Sequence, residues 1–469
     1  MKRNYTIITI LLVFLISCQD FQQAPEEEHL YSDLEKIRET GRMLVLTDYN
    51  STNYFIYRGQ PMGYQFDLLQ ELADYMGVKL EVTVSNNLSE NFNQLLDGEV
   101  DLIASNLTVT KERKEIVDFT VPHSQACQVL IQRKPDRWEY MKKNEIEEEM
   151  IRNQLDLAGK TIYVQSHSSH AARLRNLSDE IGDSIHIVEV DEDVEMLISE
   201  VSTGEIDFTV SDEHVAFVNQ MYYPNIDVET KVSFPQNMAW AVRKGSTDFR
   251  EEIDNWLTDF KNTKRFKVIY AKYFNNHKSS EIVVSDLYAI HSGKISAYDK
   301  TIKKYSKEIG WDWRLVASLI YQESRFKPDA VSWAGAYGLM QLMPLTAQRM
   351  GVDETASPVE QIKAGTELIK WLEERFEDIG DRSERIKFVL ASYNVGYGHV
   401  IDARNLARKD GKNPDVWDNS VDMYLLKKSD PDFYNDPVVK YGYCRGVETY
   451  NYVSQVLERY EHYKNIIKN

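Results

Sequence analysis

From Met43 onwards, short apolar segments alternate with longer segments whose apolar residues recur every three or four positions. The first pattern is typical of buried β-strands and the second of amphipathic helices. The predicted elements are a strand at 43–46, a helix at 66–76, a strand at 80–84, a helix at 91–96 and a strand at 102–104. Such alternation predicts a parallel sheet with helices on its faces.

A second unit with the same alternation begins at Gly159. Its predicted elements are a strand at 161–164, a helix at 171–177, a strand at 185–190, a helix at 193–201 and a strand at 207–210. After Asp227 the pattern returns to that of the first unit. Two α/β lobes joined by crossing strands enclose a hinged cleft. We therefore predict a two-lobed α/β domain at 40–277, with the second lobe at about 156–226.

A polar segment at 278–292 reads as a linker, and the pattern from 293 to 469 is mainly helical. Asp312 is placed to cap a predicted helix whose apolar face includes Val316 and Ile320. Glu323 follows Ile320 by three positions and shares its face. The small-residue run at 332–338 then folds the chain back. We expect 338–341 to approach the Glu323 carboxyl group and form one wall of a cleft.

A carboxyl group on an apolar helix face suits acid catalysis. Desolvation disfavours the ionised form, so Glu323 can keep its proton near neutral pH and donate it to a leaving oxygen. Cleavage of a glycosidic bond needs that step first. The alternative is that Glu323 only pairs with Arg325 or with backbone amides, and the single residue leaves both readings open.

Four segments in this half of the chain favour the catalytic interpretation of Glu323 over simple pairing. They are Glu323-Ser324, Gly338-Leu339-Met340-Gln341, Ser392-Tyr393-Asn394 and Tyr452-Val453. Their content and order resemble the catalytic domain of the soluble-lytic-transglycosylase type, which has a goose-lysozyme-like fold. The resemblance implies a mainly α, lysozyme-like domain at 293–469 that acts on peptidoglycan.

The same resemblance assigns roles to residues. It implies that Glu323 is the catalytic acid and then the base, and that Tyr393 orients it. It implies that Ser324 and Asn394 hold polar groups of the substrate. The remaining expected substrate contacts are Met340, Gln341, Tyr452 and Tyr393 itself. Gln341 and the Met340 backbone are expected to line the floor of the cleft.

The two-lobed region carries motifs of its own. The segments at 63–69 (GYQFDLL), 98–102 (GEVDL), 110–113 (TKER) and 117–122 (VDFTVP) resemble those of the family 3 extracellular solute-binding proteins, the amino-acid-binding periplasmic type. The resemblance implies that Arg113 takes a ligand carboxylate and Asp212 an ammonium group. Ser105, Thr108 and Ser168 are expected to complete the site.

Two alternatives remain for this site. Arg113 is surrounded in sequence by Glu112, Glu115 and Asp118, so a surface ion pair would explain it equally. The pairs Tyr54-Phe55 and 105–106 depart from the family pattern. The cleft is therefore expected to take either a free amino acid or a wall-derived peptide.

The N-terminus predicts export and anchoring. Lys2 and Arg3 precede an apolar run at 7–16 that is too short for a membrane span but typical of a signal peptide. Leu15-Ile16-Ser17-Cys18 resembles a bacterial lipobox, which implies a signal peptide at 1–17 and lipidation of Cys18. Residues 18–39 then read as an acidic spacer. We expect a lipoprotein in the outer membrane that faces the periplasm.

Composition limits the partners. The net charge of -19 argues against nucleic acid and against electrostatic capture of an anionic wall polymer. His167 and His170 are three positions apart, but in a loop after a predicted strand they are better explained as ordinary polar residues, so we predict no metal and no cofactor. The predicted function is a lytic transglycosylase that cleaves the MurNAc-GlcNAc linkage and leaves a 1,6-anhydro end. A hydrolytic muramidase and a wall-binding ligand receptor without catalysis are the alternatives.

Overall fold

The computed structural model describes residues 32–274, 285 and 288–468. The predicted signal peptide at 1–17, the lipidation site Cys18 and most of the predicted spacer lie outside the described residues. The same is true of 278–284 and 286–287 in the predicted linker. Among the residues that are described, no helix is long and apolar enough to cross a membrane.

The strands belong to the first half of the chain. They are β1 (Arg42–Thr47), β2 (Phe55–Tyr57), β3 (Gln60–Met62), β4 (Lys79–Val84), β5 (Leu102–Thr108), β6 (Val117–Phe119), β7 (Ser124–Ala126), β8 (Gln128–Arg133), β9 (Thr161–Gln165), β10 (His186–Val190), β11 (Phe208–Asp212), β12 (Ile226–Asp227) and β13 (Gln236–Arg243). The helices that accompany them are α1 (Asp33–Thr40), α2 (Tyr64–Met76), α3 (Leu88–Leu96), α4 (Lys111–Ile116), α5 (Lys143–Glu149), α6 (Ser169–Ile181), α7 (Val194–Thr203), α8 (Glu213–Tyr222), α9 (Thr247–Phe260) and α10 (Lys264–Phe274).

Two sheets form two lobes. The first has the order β4-β1-β5-β13-β6 with β7 on β13, and the second has the order β10-β9-β11-β8-β12. The strands of each repeating unit pair in parallel, as the alternation predicts. β13 and β8, however, run antiparallel to β5 and β11. Both sheets are therefore mixed, because β8 and β13 are the strands that follow each passage between the lobes.

The structure corrects two predicted boundaries. β8 belongs to the second sheet, so the second lobe begins near Gln128 and not near 156. The predicted spacer at 18–39 contains most of α1, which Ser32 caps and which buries Leu34 and Ile37. Those two apolar residues are three positions apart and so share one helix face, which packs on the first lobe.

The predicted linker is also shorter than expected. Tyr288 is fully buried in the core of the first lobe and forms a bridge with Tyr57. A short helix, α11 (Ala289–Ser292), follows at once. The C-terminal end of the predicted linker at 278–292 is thus packed against the two-lobed domain.

The second half of the described chain is helical. Its helices are α12 (Asp299–Glu308), α13 (Trp313–Ser324), α14 (Pro344–Arg349), α15 (Pro358–Glu374), α16 (Arg382–Val395), α17 (Tyr397–Lys409), α18 (Asp422–Lys427), α19 (Pro431–Tyr434) and α20 (Gly446–Ile466). One apolar core runs through this domain, and α13, α15, α16 and α20 all contribute to it. Since α13 and α20 pack on each other, residues far apart in sequence meet along their contact.

The last helix also touches the two-lobed domain. The Tyr54 hydroxyl lies 2.6 Å from His462 Nδ1, and the Tyr463 hydroxyl donates to the Gly59 carbonyl at 2.6 Å. Asn465 Nδ2 donates to the Val82 carbonyl at 2.8 Å. A Cβ on Gly59 would lie 2.7 to 2.9 Å from Phe326, Tyr463 and Tyr321, so this contact requires glycine. The two domains therefore share a tight interface.

Candidate active site

Glu323 lies in the last turn of α13. Asp312 caps this helix, since its side chain accepts from the Arg314 amide at 2.9 Å. Val316 and Ile320 are fully buried on the face that leads to Glu323. Arg325 then adopts a left-handed conformation with φ of 53° and ends the helix. The carboxyl group is thereby fixed by a rigid helix and an abrupt turn.

The environment of Glu323 favours its neutral form. Desolvation raises the pKa of Glu323 to about 7. The Tyr452 hydroxyl donates to Glu323 Oε1 at 2.5 Å, and this bond offsets part of the rise. Glu323 can therefore hold a proton near neutral pH and still has one donor ready for the charge that forms when the proton leaves.

A turn at 338–341 packs beside the carboxyl group. Ser324 Oγ donates to the Leu339 carbonyl at 2.8 Å, and Gln361 Oε1 accepts from the Leu339 amide at 2.7 Å. Gly338 has φ of 78°, and a Cβ there would lie 2.5 Å from the Gln361 side chain. Gln341 Nε2 closes the turn by donating to the Gly338 carbonyl at 2.8 Å. The turn is thus held against the end of α13.

The two motif tyrosines bond different partners at the site. The Tyr393 hydroxyl donates to the Met340 carbonyl at 2.7 Å, so it holds the turn and makes no hydrogen bond to Glu323. Tyr452, expected as a substrate contact, is the partner of Glu323. The side chain that bonds Glu323 is therefore Tyr452 and not Tyr393, and α20, which carries Tyr452, packs on α13.

Three other expected substrate contacts have internal bonds. Ser324 is buried and its hydroxyl bonds backbone carbonyls, so it positions the turn and does not face the cleft. Asn394 Oδ1 accepts from Thr449 Oγ1 at 2.7 Å. The Met340 side chain is buried against Gly365, and its carbonyl accepts from the Tyr393 hydroxyl. Sequence reasoning missed Gln361 and Thr449, which are ordinary polar residues at helix positions.

The predicted ligand residues of the two-lobed domain come together between the lobes. Arg113 donates from Nη1 to the Thr108 carbonyl at 3.1 Å and from Nη2 to the His167 carbonyl at 3.5 Å. Ser169 Oγ donates to Thr108 Oγ1 at 3.1 Å, and Ser105 is buried beside Asp48. No ion pair links Arg113 to a carboxylate within the described residues, so the surface-pair alternative is not what the structure has.

Asp212 and Ser168 carry unsatisfied atoms. Asp212 Oδ1 and Ser168 Oγ are buried without a hydrogen-bond partner among the described residues. Asp212 Oδ1 lies 3.5 Å from His170 Nε2, a contact that lacks hydrogen-bond geometry. Unpaired buried polar atoms are costly, so their presence at this cleft fits a polar ligand.

Sequence reasoning missed two carboxyl groups in this cleft. Burial raises the pKa of Asp48, and the charge of Asp212 adds to the rise. Glu195 from the second lobe accepts from the Ser51 amide of the first at 2.9 Å. Asn86 likewise donates to Asp193 at 3.2 Å across the gap. These bonds show that the lobes are closed on each other.

Comparison with known proteins agrees with this division. Residues 42–276 match the family of bacterial extracellular solute-binding proteins, family 3, and residues 300–416 match the transglycosylase SLT domain. A membrane-bound lytic murein transglycosylase F of Desulfosudis oleivorans is 33% identical over 98% of both chains. The chain belongs to the membrane-bound lytic murein transglycosylase F family. A second family member, from Photobacterium profundum, is 32% identical over 98% of this chain and 86% of its own.

A solved structure is similar to part of this chain. An ancestral arginine-binding protein bound to arginine is 25% identical, covers 50% of this chain and 98% of its own, and has a TM-score of 0.43. Across the described residues, no group of three or more His, Cys, Asp or Glu side chains could hold a metal ion.

Proposed function

We propose that this protein is a peptidoglycan lytic transglycosylase that cleaves the β-1,4 linkage between MurNAc and GlcNAc and leaves a 1,6-anhydro-MurNAc end. The observation that carries the proposal is the Glu323 carboxyl group in a transglycosylase SLT domain, with its pKa raised to about 7 and a hydroxyl donor 2.5 Å away. Both features are what a carboxyl group needs to act first as acid and then as base.

The reaction needs one carboxyl group. Protonated Glu323 gives its proton to the leaving glycosidic oxygen as the bond from C1 breaks. The carboxylate, held by the Tyr452 hydroxyl, then takes the proton of the C6 hydroxyl while O6 bonds to C1. The ring closes without water and Glu323 regains its proton. Glycosidases with two carboxyl groups use the second to activate water or to attack C1. In the described residues, only burial and Tyr452 account for the pKa of Glu323.

The decisive experiment is mass spectrometry of fragments released from purified peptidoglycan. We expect anhydro ends, each lighter than a reducing end by one water. Reducing ends would instead indicate a hydrolytic muramidase, and an absence of fragments would indicate a receptor that only binds the wall. The Glu323→Gln variant is the matched control, because it keeps the shape of the cleft.

We further infer that the cleft between the lobes binds an amino acid or a wall-derived peptide. Arg113 offers a planar fork for a carboxylate, and the unpaired Asp212 oxygen offers an acceptor for an ammonium group. Ser105, Thr108 and Ser168 supply further polar atoms. Calorimetric titration of the protein with wall peptides and with single amino acids tests this, and Arg113→Ala is expected to abolish the heat of binding.

We also propose that Cys18 carries a lipid that anchors the protein in a membrane, facing the periplasm. The supporting observations are the lipobox-like sequence before Cys18 and family members described as membrane-bound. The Cys18→Ala variant is expected to lose incorporation of labelled lipid and to move from the membrane fraction to the soluble fraction. Retention of label in that variant would contradict the proposal.

A further inference from the structure

A cavity of about 270 Å³ lies where the two domains meet, beside the helix that carries Glu323. We call it the junction cavity. Its lining residues are Gln60, Pro61, Phe66, Tyr321, Arg325, Gln455, Glu458, Arg459 and His462. The first three belong to the two-lobed domain and the others to α13, its end and α20. A ligand in this cavity would therefore touch both domains.

Two guanidinium groups in the cavity have no carboxylate partner. Arg459 Nη1 donates to Gln322 Oε1 at 3.0 Å and to the Gln455 carbonyl at 3.4 Å, and the group stacks 4.3 Å from the centre of the Tyr321 ring. All three partners are neutral. Among the described residues, no carboxylate oxygen lies within 4.0 Å of Arg325 or Arg459. Burial also lowers the pKa of Arg459.

The cavity nevertheless contains one carboxylate. The Glu458 carboxylate lies 3.9 Å from His462 Nε2. It offsets only part of the positive charge of the lining, because the lining contains two guanidinium groups and one carboxylate. His462 Nδ1 is within hydrogen-bond distance of the Tyr54 hydroxyl. Arg459 is half-buried and Arg325 is exposed. A carboxylate ligand would give both guanidinium groups the close anionic partner that they lack.

The junction cavity lies along the two helices, α13 and α20, that carry Glu323 and Tyr452. Gln322 is adjacent to Glu323 and donates from Nε2 to Gln455 Oε1 at 2.8 Å. Gln455 and Arg459 follow Tyr452 on α20 by three and seven positions, so Arg459 lies ~10 Å further along the helix axis. An extended peptide of three residues spans about the same distance.

We propose that the junction cavity is a subsite for a carboxylate of the peptidoglycan stem peptide, gripped by Arg459 and Arg325. Stem peptides branch from the muramoyl units and carry free carboxylates, which the planar fork of arginine matches in geometry and charge. The inference rests on the proposed function, because it requires a glycan strand at Glu323. Such a subsite would make the enzyme prefer glycan strands that still carry their stem peptides.

The test compares two substrates in the full-length protein. One is peptidoglycan with intact stem peptides, and the other is the same glycan after an amidase has removed them. We expect the wild type to show a higher kcat/KM on the peptide-bearing strand, by roughly tenfold if one charged contact is made. Arg459→Gln with Arg325→Gln should bring the ratio of the two kcat/KM values close to one, and Arg459→Lys should give an intermediate ratio.

The controls separate this inference from the proposed function. Arg349→Gln removes an exposed charge on α14 outside the cavity lining and should leave the ratio unchanged. An unaltered ratio in the double variant, or an equal fall on both substrates, would overturn the subsite. Absence of anhydro products from the wild type on either substrate would overturn the proposed function instead.

The carboxylate could also come from free wall peptides. Free stem peptide is therefore added to the peptide-stripped glycan. A rise in wild-type kcat/KM that the double variant lacks identifies a free peptide as the occupant, which contradicts the strand-borne carboxylate. Competitive inhibition on the peptide-bearing strand, absent in the double variant, supports it.

Discussion

At the scale of single residues, catalysis depends on the proton that Glu323 donates and then recovers. The carboxyl group of Glu323 is stabilised in its neutral form by burial, and the Tyr452 hydroxyl waits for the charge that forms on transfer. Neither feature is useful without the other, because burial alone would make the anion too costly to form.

Replacing Glu323 by Gln should remove activity and raise stability. Proton transfer by a placed side chain contributes ~10²- to 10⁴-fold, so the rate should fall at least that much. Burial raises the pKa of the folded carboxyl group from the ordinary 4.5 to about 7, so the wild type loses stability as pH rises from 4.5 to 7. The variant should be more stable at pH 8 by at most about 3 kcal/mol, with no gain at pH 4.

Chemical unfolding at both pH values and the cleavage rate check this prediction. Glu308→Gln, on the exposed face of α12, is the control and should change neither quantity. An active Glu323→Gln protein would remove the residue from the mechanism.

Tyr452→Phe should change the pH dependence of the reaction as well as its rate. The hydrogen bond from Tyr452 lowers the pKa of Glu323, so its loss should raise that pKa and move the alkaline limb of the kcat/KM profile to higher pH. The rate at the optimum should fall about tenfold or more, because the carboxylate loses its donor. A fall in rate with an unshifted limb would mean that Tyr452 acts only on the fold.

The sequence predicted the position of Glu323 better than it predicted which side chains surround it. The cap at Asp312 and the spacing from Val316 and Ile320 placed the carboxyl group on the buried face, because both signals are local. Which of Tyr393 and Tyr452 reaches Glu323 depends on how α16 and α20 cross α13. That crossing is a tertiary property without a local signal, so the sequence did not show that Tyr452 is the tyrosine that bonds Glu323.

At the scale of elements, the alternation of strands and helices predicted the repeating units within a few residues. The ends of β1, β4 and β10 lie within one residue of their predicted positions, because the hydrophobic period and the turn residues are local signals. α6 begins two residues before its predicted start and ends four residues after its predicted end. β8 was missed, since it lies outside the predicted repeat and pairs antiparallel with β11. α1 was missed because its face has only Leu34 and Ile37.

A buried ion pair holds the segment in front of α20. Lys428 Nζ lies 2.7 Å from Asp402 Oδ2 and both side chains are excluded from solvent. The two oxygens of Asp402 also accept from the amides of Lys440 and Tyr441, each at 2.8 Å. The pair thereby ties α17 to the loop from which α20 begins.

Lys428→Met should therefore destabilise the helical domain by about 3–5 kcal/mol, because it leaves a buried carboxylate without its cation. Thermal unfolding measures the loss, and Lys412→Met, at an exposed position, serves as the control. Retention of wild-type stability would show that the two amides alone satisfy Asp402.

At the scale of the whole molecule, the closed lobes and the enzyme meet through α20. This helix contacts Tyr54, Gly59 and Val82 of the first lobe near its C-terminal end and contacts Glu323 nearer its start. A ligand can shift the enzyme only by its different affinity for the open and closed lobes, typically 1–3 kcal/mol.

We expect wall peptides to change the cleavage rate of the full-length protein by about 5- to 150-fold, the range that such a coupling free energy allows. Arg113→Ala should remove this response, because the guanidinium group is the expected anchor for the peptide carboxylate. Lys111→Ala, an exposed position on the same short helix, is the matched control. Equal responses in the wild type and in Arg113→Ala would indicate that the two-lobed domain is only a spacer in front of the helical domain.

The hydrogen bond between Tyr452 and Glu323 joins residues 129 positions apart. Every helix from α14 to α19 lies between them in the chain, so a ribosome has to synthesise most of the helical domain after Glu323 before its partner exists. A stop codon anywhere in that interval yields a chain that has the acid but lacks its donor. The complete Glu323 site therefore forms only in a chain that has been translated through α20.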